Sequence, residues 1–266
     1  MFSTRQAAAI EGVKHMNTNR QAATIVASPR KLAIAAGVCY LVSDFPAFAA
    51  VILYTQILNN ANYIVGFGPD AGVLLGGFFE LIVAFAIVGT AVTLFPIVKG
   101  QNEAVAMGYV GLRTLEAGII TIGAVSLLAV VTLRQHLAGA GGTDTASLVA
   151  LGKSLVAFHN WTFLIGPGFT SGVNTVLMAY LMYRSRLVPR FIPVLGLIGG
   201  PLVFASATAV LFGLYPQYSV MPAVAALPEF AWELSLAICL IAKGFNPTAT
   251  ADDAAKTETN ELVRVA

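Results

Sequence analysis

Six runs of mostly apolar residues, each at least ~18 long, constrain this chain more than anything else in it. A helix rises ~1.5 Å per residue, so about 20 such residues cross the ~30 Å of hydrocarbon in a bilayer. The runs extend from about Leu32 to Ile57, Val73 to Val98, Ala104 to Leu133, Leu148 to Tyr183, Phe191 to Leu214 and Ala223 to Ala242. Hydrocarbon offers no water to backbone N–H and C=O groups, so a spanning segment is a helix or a strand of a closed barrel. Barrel strands alternate apolar and polar residues over ~10 positions, and these runs do not. The expected fold class is all-α: a polytopic integral membrane bundle of six helices. Composition agrees. Only 11% of the 266 residues are charged and 57% are hydrophobic, whereas a soluble domain carries about 25% charged residues to solvate its surface.

Basic residues set the expected orientation, because short cytoplasmic loops collect Lys and Arg. With the N-terminus inside, the inner segments hold Arg5, Lys14, Arg20, Arg30, Lys31, Lys99, Arg184, Arg186, Arg190, Lys243, Lys256 and Arg264. These are twelve of the 15 basic residues; the outer loops hold Arg134 alone, and Arg113 and Lys153 fall within spans. Both termini are therefore expected to be cytoplasmic. Residues 1–30 read as a polar, basic cytoplasmic arm, 31–245 as the six-span domain and 246–266 as a disordered cytoplasmic tail. The arm lacks the apolar centre of a cleaved signal peptide. The lipid bilayer is the expected partner. Net charge is only +2, and no basic stripe interleaves with aromatics, which argues against nucleic acid. Protein partners, including further copies of the chain, and any cofactor stay undetermined.

The fourth run is too long for one straight, perpendicular span. Either its first turns lie outside the bilayer or it breaks near Gly166-Pro167-Gly168, where proline removes a backbone donor and clashes with the preceding turn. Pro193 and Pro201 could bend the fifth span as well. The small-residue pairs Gly72/Gly76, Gly168/Gly172 and Gly196/Gly200 are helix-packing devices. Cys39 and Cys239 read as small packing residues without a partner at ligand spacing.

Ionisable groups in hydrocarbon cost about 2.5–3.5 kcal/mol each on insertion scales, so they normally face the bundle interior and find partners. Asp44, Glu80, Arg113, Glu116, Lys153, His159, Glu229 and Glu233 are such groups, on five of the six runs. Counting from the run ends places most of them in the outer half of the bilayer. They suggest an outward-opening polar cavity with Arg113, Glu116 and His159 at its floor. Asn160 and Trp161 follow His159 and join the candidate binding set; Trp161 is expected inside the bundle or on the cavity wall.

Spacing refines these roles. Arg113 and Glu116 are i, i+3, on one helical face and within ion-pair reach; a structural clamp and a functional pair both fit. Glu229 and Glu233 are i, i+4 and repel if both are ionised. In a low-dielectric site one then keeps a proton, or the two share a cation, unless Lys153 or Arg113 pairs with them. His159 either hydrogen-bonds across a helix interface or carries protons, since an imidazole titrates near neutral pH. No catalytic motif is present: there is no H-E-x-x-H, G-x-S-x-G, Walker loop or C-x-x-C. The catalytic residues, if any, stay unassigned, and no metal ligand set is readable.

The stretches "LVAFHNWTFLIGPGFTSGVN", "YLMYRSRLVPRFIPVLGLIGGP", "LPEFAWELSL", "IVKGQNEAVAMGYVGLRTLE" and "SLLAVVTLRQ" resemble a bacterial group of multi-pass membrane proteins, domain of unknown function 4386. The resemblance runs from about Arg30 to Phe245. It implies a bacterial cytoplasmic membrane location and brings no activity, substrate or catalytic residue. Where that group often has an aspartate after the histidine, this chain has Asn160. Three function classes follow from the residues. One is a carrier moving a small solute, proton or cation through the outward cavity. Another is a membrane-embedded assembly or partner protein whose polar groups only pack helices. The last is an intramembrane metal-site enzyme using His159 with Glu80, Glu116 or Glu229.

Overall fold

The structure, a computed structural model, describes residues 28–66, 68–137 and 144–248. The proposed basic arm and tail lie almost wholly outside the described residues. Seven long helices carry the fold, with no strand among the described residues. They are α1 (Pro29–Leu53), α2 (Ala71–Val98), α3 (Glu103–Leu137), α4 (Thr145–Phe163), α5 (Ser171–Ser185), α6 (Phe191–Leu211) and α7 (Val220–Ala242). A π-helical turn, Leu164–Thr170, joins α4 to α5 without a break. The helical segment Thr145–Ser185 is thus one span, and six spans are long and apolar enough to cross a membrane.

The fourth span does not break at Gly166-Pro167-Gly168 as one of the two sequence readings allowed. Widening the helix to i→i+5 bonding makes room for the Pro167 ring and spares the chain a lost turn. Elsewhere proline is absorbed within continuous helix, at Pro46, Pro96, Pro201 and Pro228. Starts are capped where the sequence supplies an oxygen. Ser28 accepts from the Lys31 amide ahead of Pro29. Asp144 accepts from the Ala146 amide and from the Ser147 hydroxyl at 2.6 Å. Those two donors hold the Asp144 carboxyl below the usual carboxylate range.

The spans pack in chain order as a closed ring: α1 on α2, α2 on α3, α3 on the α4–α5 span, α5 on α6, α6 on α7, and α7 back on α1. The start of α1 and the end of α7 lie at one end of this ring, where the Arg30 guanidinium donates to the Leu240 and Ile241 carbonyls at 3.0 and 2.7 Å. Glycine makes a close crossing between α5 and α6. A Cβ on Gly200 would stand 2.6 Å from the Gly172 carbonyl oxygen, and one on Gly172 would stand 2.8 Å from the Gly200 oxygen. These two glycines belong to the small-residue pairs seen in the sequence, and they let α5 and α6 touch backbone to backbone.

Apolar cores occupy the two ends of the bundle. Tyr40, Tyr109, Met178, Met182, Trp232 and Leu236 pack at the terminal end. Tyr54, Ile57, Leu127, Val130 and Val131 pack at the opposite, loop end. There, Arg134 in the last turn of α3 donates to Asp70 at 2.7 Å and to the Gly66 and Gly68 carbonyls, while lying over the Tyr63 ring at 4.6 Å. Counted from the sequence as an outer-loop charge, Arg134 is instead a buried clamp on the α1–α2 loop. Between the two apolar cores lies a polar layer.

Candidate functional site

Four helices turn five carboxyls into that layer. Asp44 from α1, Glu80 from α2, Glu116 from α3, and Glu229 and Glu233 from α7 line one cavity of about 230 Å³, to which the fourth span adds Pro167 and Ser171. Arg113 is the one buried guanidinium beside these carboxyls. Its Nη2 donates to Glu233 Oε1 at 2.7 Å and its Nη1 to Glu116 Oε2 at 3.3 Å. Its Nε donates to the Tyr109 hydroxyl, and the Tyr40 and Tyr109 rings cover it at 5.5 and 5.7 Å. The i, i+3 ion pair read from the sequence is therefore formed, and Arg113 also reaches across the ring to α7.

Neutral donors hold the other carboxyls. Glu229 Oε1 accepts from the Ser171 and Thr175 hydroxyls, both at 2.7 Å. Glu116 Oε2 accepts from the Asn174 side-chain amide at 2.6 Å, and Glu80 Oε2 accepts from the Tyr54 hydroxyl at 2.8 Å. Asp44 differs. Its Oδ2 is buried without a hydrogen-bond partner, and the residue, 9% exposed, lines the cavity together with Glu233. Carboxyls that share a buried space with one guanidinium cannot all be ionised cheaply at low dielectric, so protons or cations belong among them.

A second chamber of about 190 Å³ lies toward the loop end, lined by Ser206, Val210, Gln217 and Pro222. It shares Phe163, Pro167, Ala226 and Glu229 with the central cavity. Glu229 thus stands in the wall between the two spaces. Its backbone is pressed against Gly199 of α6, where any side chain would collide with the Glu229 amide.

Five of the expected residues do not line the cavity; Arg113, expected at its floor, is one of them and joins it through its ion pairs to Glu116 and Glu233. Lys153 and Asn160 border a separate cleft of about 270 Å³ at the loop end. Asn160 accepts there from the Tyr218 hydroxyl and, at its carbonyl, from Gln217. In an unbroken α-helix Lys153, Asn160 and Ser171 would share a face, being 18 and 11 residues apart. The π turn between them offsets the register on the order of 100°, so only Ser171 faces inward. Trp161, expected inside the bundle, is 49% exposed, because two residues beyond the buried His159 on the same α-helix it lies about 200° round from that ring. His159 is buried but sits behind the cavity wall, its ring 5.3 Å from that of Tyr54 and its Nδ1 without a partner. The hydroxyl of the same Tyr54 donates to Glu80. Among the described residues, no three His, Cys, Asp or Glu side chains come together as metal ligands.

The sequence reading missed Ser171, Asn174 and Thr175. Their i, i+3, i+4 spacing puts three polar side chains on one face of an apolar helix, a signal that was available. Tyr54 gave none, because tyrosine near a span end reads as an interfacial residue.

Six apolar spans closed around a buried polar layer define a multi-pass, all-helical membrane protein. Residues 35–244 match the family described as domain of unknown function (DUF4386), and the chain belongs to that family. No curated protein and no solved structure matches it.

Proposed function

We propose that this protein is a membrane carrier whose central cavity takes up protons or small cations in moving a solute. The observation that carries the reading is a charge imbalance: five carboxyls face one guanidinium in a buried space. Buried carboxylates that lack counter-charges must gain protons or cations. Glu229, placed between the central cavity and the loop-end chamber, is the carboxyl that exchanges them. The terminal end, with its Lys and Arg residues, faces the cytoplasm of a bacterial cell membrane, and the loop-end chamber faces outward.

The test uses purified protein in proteoliposomes on a solid-supported membrane. A jump in proton or Na⁺ concentration produces a capacitive current as the cavity loads. Glu229→Gln diminishes that current at least tenfold while accumulating and melting like the wild type. A wild-type protein that is folded yet electrically silent to both jumps overturns the proposal. Variants that fail to accumulate point instead to an assembly protein, in which each carboxyl serves as helix glue. That second reading draws on the hydrogen bonds that tie Glu116 and Glu229 to the fourth span.

A further inference from the structure

The same cavity has an aromatic wall. Phe48 of α1 and Phe230 of α7 meet edge to face with centroids 5.3 Å apart, and both border the cavity together with Phe163. On each helix a phenylalanine shares a face with a carboxyl: Asp44 and Phe48 are i, i+4, and Phe230 and Glu233 are i, i+3. Acid and ring therefore face the same space from two sides.

A hard inorganic cation is a poor fit to this wall. Ca²⁺ and Mg²⁺ require about six or more oxygens at close range. Here Glu229 Oε1 already accepts two hydroxyls, Glu116 Oε2 accepts from Asn174 and Arg113, and Glu80 Oε2 accepts from Tyr54. Asp44 Oδ2 is the carboxyl oxygen among the cavity acids that is buried and unpartnered. A buried, unpartnered carboxyl oxygen beside phenyl rings, which offer a metal ion no oxygen ligand, suits a positive charge on an apolar body, because ring faces attract such cations most where water is excluded. The space of about 230 Å³, at ~30 Å³ per water-sized volume, admits on the order of eight heavy atoms.

We infer that the central cavity binds a small monovalent organic ammonium ion, its charged head at Asp44 and its apolar body against Phe48, Phe163 and Phe230. This rests on the cation-handling reading above and gives it a ligand class. An ammonium head at Asp44 replaces the proton that a buried carboxyl without a counter-charge must hold, so uptake of the ammonium releases a proton.

The experiment uses the full chain in detergent with benzylammonium as probe, benzyl alcohol as its neutral counterpart and NaCl as the ionic control. Benzylammonium raises the melting temperature in a saturable way and releases protons into a weakly buffered solution; benzyl alcohol and NaCl do neither. Asp44→Asn abolishes both effects. Phe230→Leu, which keeps the apolar volume and removes the ring, weakens binding about tenfold, and it decides the matter if Asp44→Asn does not fold. Equal responses to benzyl alcohol and benzylammonium, or a Phe230→Leu variant that binds like the wild type, overturn the inference. If the proton or Na⁺ jump current survives while benzylammonium has no effect, only the ligand class is wrong. If both are missing, the carrier reading falls with it.

Discussion

Arg113 is the residue on which the polar layer depends. It sits 3% exposed between Glu116 and Glu233, and without it two carboxyls lose their only opposite charge. Removing one partner of a buried ion pair costs about 3–5 kcal/mol, so Arg113→Leu should sharply lower the melting temperature in detergent. The triple variant Arg113→Leu, Glu116→Gln, Glu233→Gln removes the stranded charges together and recovers most of that loss. A single variant that melts like the wild type would show that the pairs are not formed. Tyr63, in the loop between α1 and α2, offers a pH test. Burial, then its hydrogen bond to Asp70 at 2.9 Å, pushes its hydroxyl up to about 12. A raised value means that the fold favours the neutral phenol. The stabilisation is thus complete below about pH 10, the value for a free tyrosine, and fades as pH climbs toward 12. In a tyrosinate absorbance titration, Tyr63→Phe should delete a component near pH 12. Deletion of a component near pH 10 would mean that Tyr63 does not hold Asp70.

At the scale of elements, two devices position the site, and both spend local regularity on geometry. The Gly172–Gly200 crossing brings α5 against α6 until backbone meets backbone. Gly200→Val forces those helices apart, because the obstacle is a carbonyl oxygen and no rotamer change relieves it. We expect a loss of about 1–3 kcal/mol and a weakened Ser171–Glu229 contact; chemical denaturation and the pH-jump current measure the two effects separately. A valine that leaves stability and current intact would refute the close approach. The π turn is the other device. By rotating α5 relative to α4 it turns Ser171, Asn174 and Thr175 toward Glu229 and Glu116. The same rotation leaves Lys153 and Asn160 in a different cleft. A helix-wheel projection of the fourth span fails because such a projection assumes constant pitch.

For the molecule as a whole, ring closure in chain order creates a centre that belongs to no single pair of helices. An orientation with the basic end in the cytoplasm makes a direct prediction. In a variant with Cys39 and Cys239 replaced by alanine, a cysteine at Asn60 should react with an impermeant maleimide in intact cells. One at Arg186 should react only after the cells are opened, and the reverse pattern would invert the topology. Periodicity, length and charge were sufficient to establish six helical spans, because hydrocarbon leaves the backbone almost no alternative. They also put Asp44, Glu80, Arg113, Glu116, Glu229 and Glu233 in the interior, because a charged group facing lipid is costly. Which of these groups meet was decided by the tertiary structure. Arg113 pairs with Glu233 across 120 residues of chain, a contact that ring closure between α1 and α7 makes and local spacing does not encode. His159 and Trp161 were misplaced because the rotation of a helix about its long axis depends on the neighbours it packs against. Burial is a property of residue type and can be read along the chain, whereas convergence depends on how separate helices are rotated against one another.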